Sequence, residues 1–134
     1  MLFFGLESFD QKFLDNINKG INVKYAIKIL QLCKKYDIKT SVSFLFNFPL
    51  ENLHTLMVTK RLLKKYINLF DHLEFNTFVP TANCKWVKTW DKLNYYDVPT
   101  QLSTEKQKIF SDIQTIAKNK LNSSFYLKNY EIWE

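Results

Sequence analysis

Apolar runs alternate with amphipathic helical stretches at an interval of about 35 residues, and this rhythm constrains the chain more than any other feature. Residues 2–6 are a short apolar run, Thr40–Phe46 is rich in β-branched and aromatic residues, and residues 73–79 form a third run stopped by Pro80. A tight turn joins antiparallel strands, whereas strands separated by a whole helix pair in parallel through right-handed crossovers. The pattern therefore predicts an α/β fold with a parallel sheet.

Local chemistry sets the expected boundaries. Ser8 with Gln11 three residues on makes a capping box, Phe13, Leu14 and Ile17 keep helical spacing, and Gly20 is the expected left-handed C-terminal cap. Asn22 caps a second helix whose stripe is Val23, Ala26, Ile27, Leu30 and Cys33, ending near Tyr36 and Asp37. Leu53, Leu56, Met57, Leu63, Tyr66, Ile67 and Phe70 predict one long third helix. An aromatic loop over residues 83–99 carries Trp86, Trp90, Tyr95 and Tyr96, and is expected to pack. Thr104 with Gln107 is a second capping box, opening a last helix striped by Phe110, Ile113, Ala117 and Leu121. Residues 125–134 are a strand or a docked tail. Two parts result: residues 1–82 are the strand–helix unit, and residues 83–134 are the aromatic loop with a C-terminal helical extension and tail.

Composition narrows the class. Apolar residues make up 46% and aromatic residues 16% of the 134, too much for a disordered chain. No apolar run approaches the roughly 18 residues of a membrane span, and Met1 leads into Leu2, Phe3 and Phe4 without a basic signal region, so a cytoplasmic location is expected. Cys33 and Cys84 match no metal or disulfide spacing, and Cys33 on an apolar stripe reads as a small buried hydrophobe. The net charge of +6 invites a nucleic-acid partner, but only Arg61 among 19 basic residues is arginine, the residue that bidentate phosphate and base recognition favours. Lysine-rich solvated helix faces explain the charge instead.

Parallel strands covered on both sides read as unbroken apolar runs. Here Ser41 and Ser43 alternate with Val42 and Phe44, and Glu74 and Asn76 flank Phe75, so two strands present a polar face. That face lines a barrel lumen, or it is the water side of an open sheet. Barrel enzymes place their chemistry at the carboxyl ends of the strands. The loops there hold Glu7 and Ser8, residues 47–51, and residues 80–83.

At these positions the sequence resembles the second half of radical S-adenosylmethionine enzymes, especially the cobalamin-binding type, over residues 2–82. The family's Gly-Ile-Glu-Ser strand ending appears as Gly5, Leu6, Glu7 and Ser8, and its Asn-Lys-Gly helix ending as Asn18, Lys19 and Gly20. Its Gly-x-Pro-Gly-Glu loop reads Asn47, Phe48, Pro49, Leu50 and Glu51, with both glycines lost. Its Thr-Pro-Tyr-Pro-Gly-Thr turn survives as Val79, Pro80 and Thr81 before diverging through Ala82 and Asn83.

The resemblance implies half of a TIM-like (βα) barrel, from a parent in which a 4Fe–4S cluster cleaves S-adenosylmethionine reductively. The CxxxCxxC loop that ligates the cluster does not occur in this sequence, so neither the cluster nor activity is expected of the chain alone. No catalytic residue and no metal ligand are assigned. By position in the family, Glu7 and Ser8 lie near the ribose, Phe46, Asn47 and Phe48 near the adenine, and Pro80 on the same rim. Glu7 has an equal structural reading, as a carboxylate favoured by a helix N-terminus. S-Adenosylmethionine is expected to bind weakly, or only with an N-terminal half present as partner. The rival readings are a non-enzymatic interaction module that holds a protein through Trp86 and Trp90, and a lysine-rich RNA-binding piece.

Overall fold

The structure is a computed structural model and describes residues 1–48, 50–78, 104–120 and 126–127. Its order is β1 (Leu2–Glu7), α1 (Gln11–Asn16), α2 (Val23–Lys35), β2 (Thr40–Phe46), α3 (Leu53–Tyr66), a 3-10 turn (Ile67–Leu69), β3 (His72–Thr77), α4 (Thr104–Lys120) and β4 (Tyr126–Leu127). The four strands pair in parallel in the order β1-β2-β3-β4, so strands consecutive in the chain are neighbours in an open sheet. The expected α/β class and parallel pairing are both present. The two residues of β4 fall in the segment left open between strand and tail.

One face of the sheet carries the core. Leu6, Val42, Phe44, Phe46, Leu73 and Phe75 are buried with Leu14 of α1, Leu30 of α2, Leu56 and Leu63 of α3, and Ile113 and Ala117 of α4. All four helices therefore cover the same side. Strand alternation turns Phe3, Gly5, Ser43, Glu74 and Asn76 to the opposite side. Ring pairs tie the core together, with Phe44 5.3 Å from Phe9 and 6.1 Å from Phe75 between centroids.

Three local expectations are corrected. The N-cap of α1 is Asp10, whose carboxylate accepts the N–H groups of Lys12 (3.0 Å) and Phe13 (3.3 Å), and not Ser8. Asp10 stands directly before the helix, and the Ser8 hydroxyl is engaged with Thr59 of α3 and the Asp10 N–H. Gln11, freed from that box, accepts the Val23 N–H and donates to the Ile21 carbonyl, both at 2.9 Å, and so bridges α1 to α2. The expected left-handed conformation is present at Gly20 (φ 70°), but the cap itself is Asn18 (φ 54°), two residues earlier; Asn18 N–H reaches Asp15 O and Lys19 N–H reaches Leu14 O, the paired bonds of a Schellman ending. Asp37 (φ 53°) ends α2 in the same way, with the Ile38 N–H on Cys33 O. The third helix stops at Tyr66 and tightens into the 3-10 turn, so Phe70 enters the core from extended backbone.

Asp10 also accepts the Thr55 hydroxyl at 2.9 Å in a buried contact. Asp10→Ala is expected to lower the unfolding free energy by about 2 kcal/mol, since it removes a cap and the shorter bond of the Thr55 hydroxyl, which keeps only Asn52 Oδ1 at 3.3 Å. Urea denaturation measures it. A loss under about 0.5 kcal/mol would mean that water replaces both functions.

Candidate functional site

The carboxyl ends of β1 and β2 are unusual in the same way. Glu7 (φ 66°) and Asn47 (φ 61°) both have left-handed backbone, which disfavours a side chain by roughly 1–2 kcal/mol and which asparagine tolerates better than glutamate. At Glu7 the twist follows an irregularity in the β1–β2 register between Gly5 and Glu7. At Asn47 the chain holds the conformation that a glycine favours, although the glycine of the resembled loop is gone.

Glu7 folds back over the open face of the sheet. Its Oε1 accepts from Lys19 Nζ at 2.9 Å, and a side chain at Gly5 would meet that oxygen at 3.0 Å, with Ser43 Oγ close behind. Gly5 thus leaves the space in which the carboxylate lies. Gly5 pairs with Ser43 and Ser43 with Glu74, so a row of polar positions crosses the sheet beside the Glu7–Lys19 pair, and Asn76 lies one step nearer the strand end. The pair is partly exposed, and contributes little to stability.

Ser8 belongs to a different environment. It is buried, shares a hydrogen bond with the Thr59 hydroxyl at 3.2 Å, and accepts the Asp10 N–H at 3.1 Å. Thr59 also accepts the Phe9 N–H, and Thr55, one helical turn earlier, holds Asp10. Two threonines of α3 therefore fasten the loop after β1. The Ser8 hydroxyl is used in that fastening, not turned to a ligand.

The expected stacking rings are also elsewhere. Phe46 is buried on the helix-covered face, edge-on to Phe75 and Phe110, and Phe48 is buried between Phe13 and Phe78. Phe46 follows from alternation along β2, which sends Val42, Phe44 and Phe46 into the core, whereas Phe48 lies past the end of the strand, beyond the left-handed Asn47. Neither ring can stack on a base at the open face. Pro80 lies outside the described residues, as do Pro49, Cys84, Trp86 and Trp90.

Sequence reading gave Glu51 no role of its own. It is buried behind Asn47, and its Oε1 accepts the Asn47 N–H at 3.3 Å. Burial pushes its carboxyl up to about 7, against the opposing pull of that N–H and of the Lys106 charge. Lys106 Nζ donates to the Glu51 carbonyl at 2.8 Å and so joins α4 to the loop after β2. Nothing local in the sequence marks this role, because it depends on burial and on Lys106 arriving from α4.

No protein-family model and no curated protein matches the sequence. The site is therefore read from its own geometry. Among the described residues, no group of three His, Cys, Asp or Glu side chains is placed to hold a metal ion, and Cys33 is buried on α2. The described residues thus do not fit an iron–sulfur cluster. The polar row and the Glu7–Lys19 pair set a carboxylate, an ammonium group, a hydroxyl and an amide side by side on the open face. No helix among the described residues is long and apolar enough to cross a membrane.

Proposed function

We infer that this chain is the second half of a radical S-adenosylmethionine barrel, which supplies part of the cofactor wall and none of the cluster ligands. The observation that carries the reading is the division of the sheet. Consecutive parallel strands have every described helix on one face, while Ser43, Glu74 and Asn76 sit on the other, as in a barrel wall with a polar lumen. The left-handed Asn47 at the end of β2 supports it, because the backbone there keeps the shape of the resembled glycine loop.

In this reading the Glu7 carboxylate accepts the ribose hydroxyls, with Lys19 holding it over Gly5, and the backbone at Asn47 lies near the adenine. Ser8, Phe46 and Phe48 act behind the site by fixing the two loops. The cluster, when supplied by the other half, performs the reductive cleavage. This chain's residues bind and orient.

Calorimetry tests the proposal. S-Adenosylmethionine is expected to bind the chain weakly or undetectably, and to bind when an N-terminal half bearing the CxxxCxxC loop is added. Glu7→Ala is expected to lower the restored affinity about tenfold, the loss of one charge-assisted hydrogen bond. Its fold should survive, since a partly exposed ion pair carries about 1 kcal/mol or less. Tight binding to the chain alone, or an unchanged affinity in the variant, would overturn the assignment.

A further inference from the structure

The side of β1 away from β2 is an open strand edge among the described residues. Leu2 N–H bonds Lys39 O at 2.8 Å, toward β2, so alternation along the strand turns the N–H and C=O groups of Phe3 and Gly5 outward. Among the described residues β1 pairs with β2 alone. An apolar edge strand left bare invites another strand.

Beside that edge, α2 carries a second apolar stripe. Its core stripe contains Val23, Leu30 and Cys33, but Tyr25 (65% exposed), Ile29 (47%), Leu32 (52%) and Tyr36 (66%) follow one another at steps of four, three and four on a different face. That is the spacing of a helix–helix seam. A groove of about 360 Å³ runs between this stripe and β1, floored by Phe4, Leu6 and Ala26. Tyr25 and Ile29 line the groove together with Phe3 and Gly5, so the edge and the first half of the stripe share one surface.

The surface has a charge. Lys24, Lys28 and Lys35 flank the stripe, two of them lying over its tyrosine rings, with Lys28 Nζ 5.8 Å from Tyr25 and Lys35 Nζ 5.5 Å from Tyr36. The helix has no acidic residue. A second copy of the chain, turned about a two-fold axis to pair β1 with β1, would set these lysine rows against each other.

We propose that this surface takes a strand–helix unit of a different polypeptide, its strand pairing in parallel with β1 and its helix lying on Tyr25, Ile29, Leu32 and Tyr36 with glutamate or aspartate toward the lysine row. The inference rests on the half-barrel reading for the parallel sense of the pairing and for the identity of the natural partner. The strand supplies the hydrogen bonds that Phe3 and Gly5 lack, and the helix covers the stripe. The acidic flank selects this partner over a second copy.

The probe is a labelled synthetic peptide with a Val/Ile strand, a short turn and a helix bearing leucine at seam positions and glutamate beside them. Fluorescence anisotropy on the full chain is expected to show binding that weakens as salt is raised, and at least tenfold weaker binding of the same peptide with lysine in place of glutamate. Ile29→Glu with Leu32→Glu, on the exposed side of α2, should leave the far-UV spectrum and melting unchanged and lower the affinity at least tenfold. Amide exchange at Phe3 and Gly5 should slow when the acidic peptide binds. The proposal is overturned by absence of binding, by equal binding of both peptides, or by indifference to the double substitution. A homodimer that already protects Phe3 and Gly5 would also overturn it, making a second copy the occupant. The peptide carries no cofactor, so this result and the S-adenosylmethionine titration stand or fall separately.

Discussion

Stability against urea is expected to fall as pH rises from about 4.5 to 7, and Glu51→Gln is expected to abolish most of that fall. Burial raises the Glu51 carboxyl to about 7 in the folded protein, so the fold favours the protonated form. A folded value above the unfolded one gives stability that is fully present below the unfolded value and lost as pH passes the folded value. At roughly 1.4 kcal/mol for each unit, the loss is about 3–4 kcal/mol at most. Asp71 works in another window. Its own burial opposes ionisation, but the Thr40 N–H, Lys34 and Lys39 hold its carboxyl below the usual range, so its contribution is present above the unfolded value and is lost at lower pH. Denaturation of both proteins between pH 5 and 8 separates Glu51 from it, because the difference between them cancels the titrations they share. Parallel pH profiles would show that the carboxyl reaches water through the loop and ionises freely.

Phe44→Ala is expected to cost about 3–5 kcal/mol, and Ser43→Ala less than about 0.5 kcal/mol, although the two residues are adjacent in β2. Phe44 is fully buried among Phe9, Phe70 and Phe75, contributed by two separate loops and β3, which cannot all close on the cavity. Ser43 lies on the open face. Urea midpoints of the two variants measure the contrast directly. Comparable losses would mean that both faces of β2 are equally enclosed and that the sheet has no open polar side.

The same two residues mark what was legible in the chain. Alternation along β2 separates Val42 and Phe44 from Ser41 and Ser43 whatever the surroundings, because successive side chains leave a strand on opposite faces. That local rule gave the strand, its polar side and the parallel pairing that helix-length connections require. Thr40–Phe46 and the Asn22 cap needed nothing more. The rule does not say which rings meet a ligand. Phe46 follows the parity of Phe44 into the core, and a place near the adenine, taken from its position in a family loop, ignored that parity.

Capping residues were read less well, because several acceptors stood within reach of each helix end. Ser8, Asp10, Asn18 and Gly20 all suit helix ends by residue type. The choice of Asp10 over Ser8 depends on Thr55 and Thr59, which come from another helix and occupy both side chains. Likewise Glu51 is only one residue of a loop until the fold buries it and Lys106 arrives from α4 to bond its carbonyl. Sequence alone determined the succession of strands and helices, their apolar faces and the polar rows, since these depend on periods of two and of about 3.6 residues. Tertiary structure decided which polar groups are spent on holding loops, which carboxyl is pushed toward neutrality, and that α2 keeps a second apolar stripe beside a bare strand edge. Those properties depend on which distant segments come to lie against one another, and no local period encodes that.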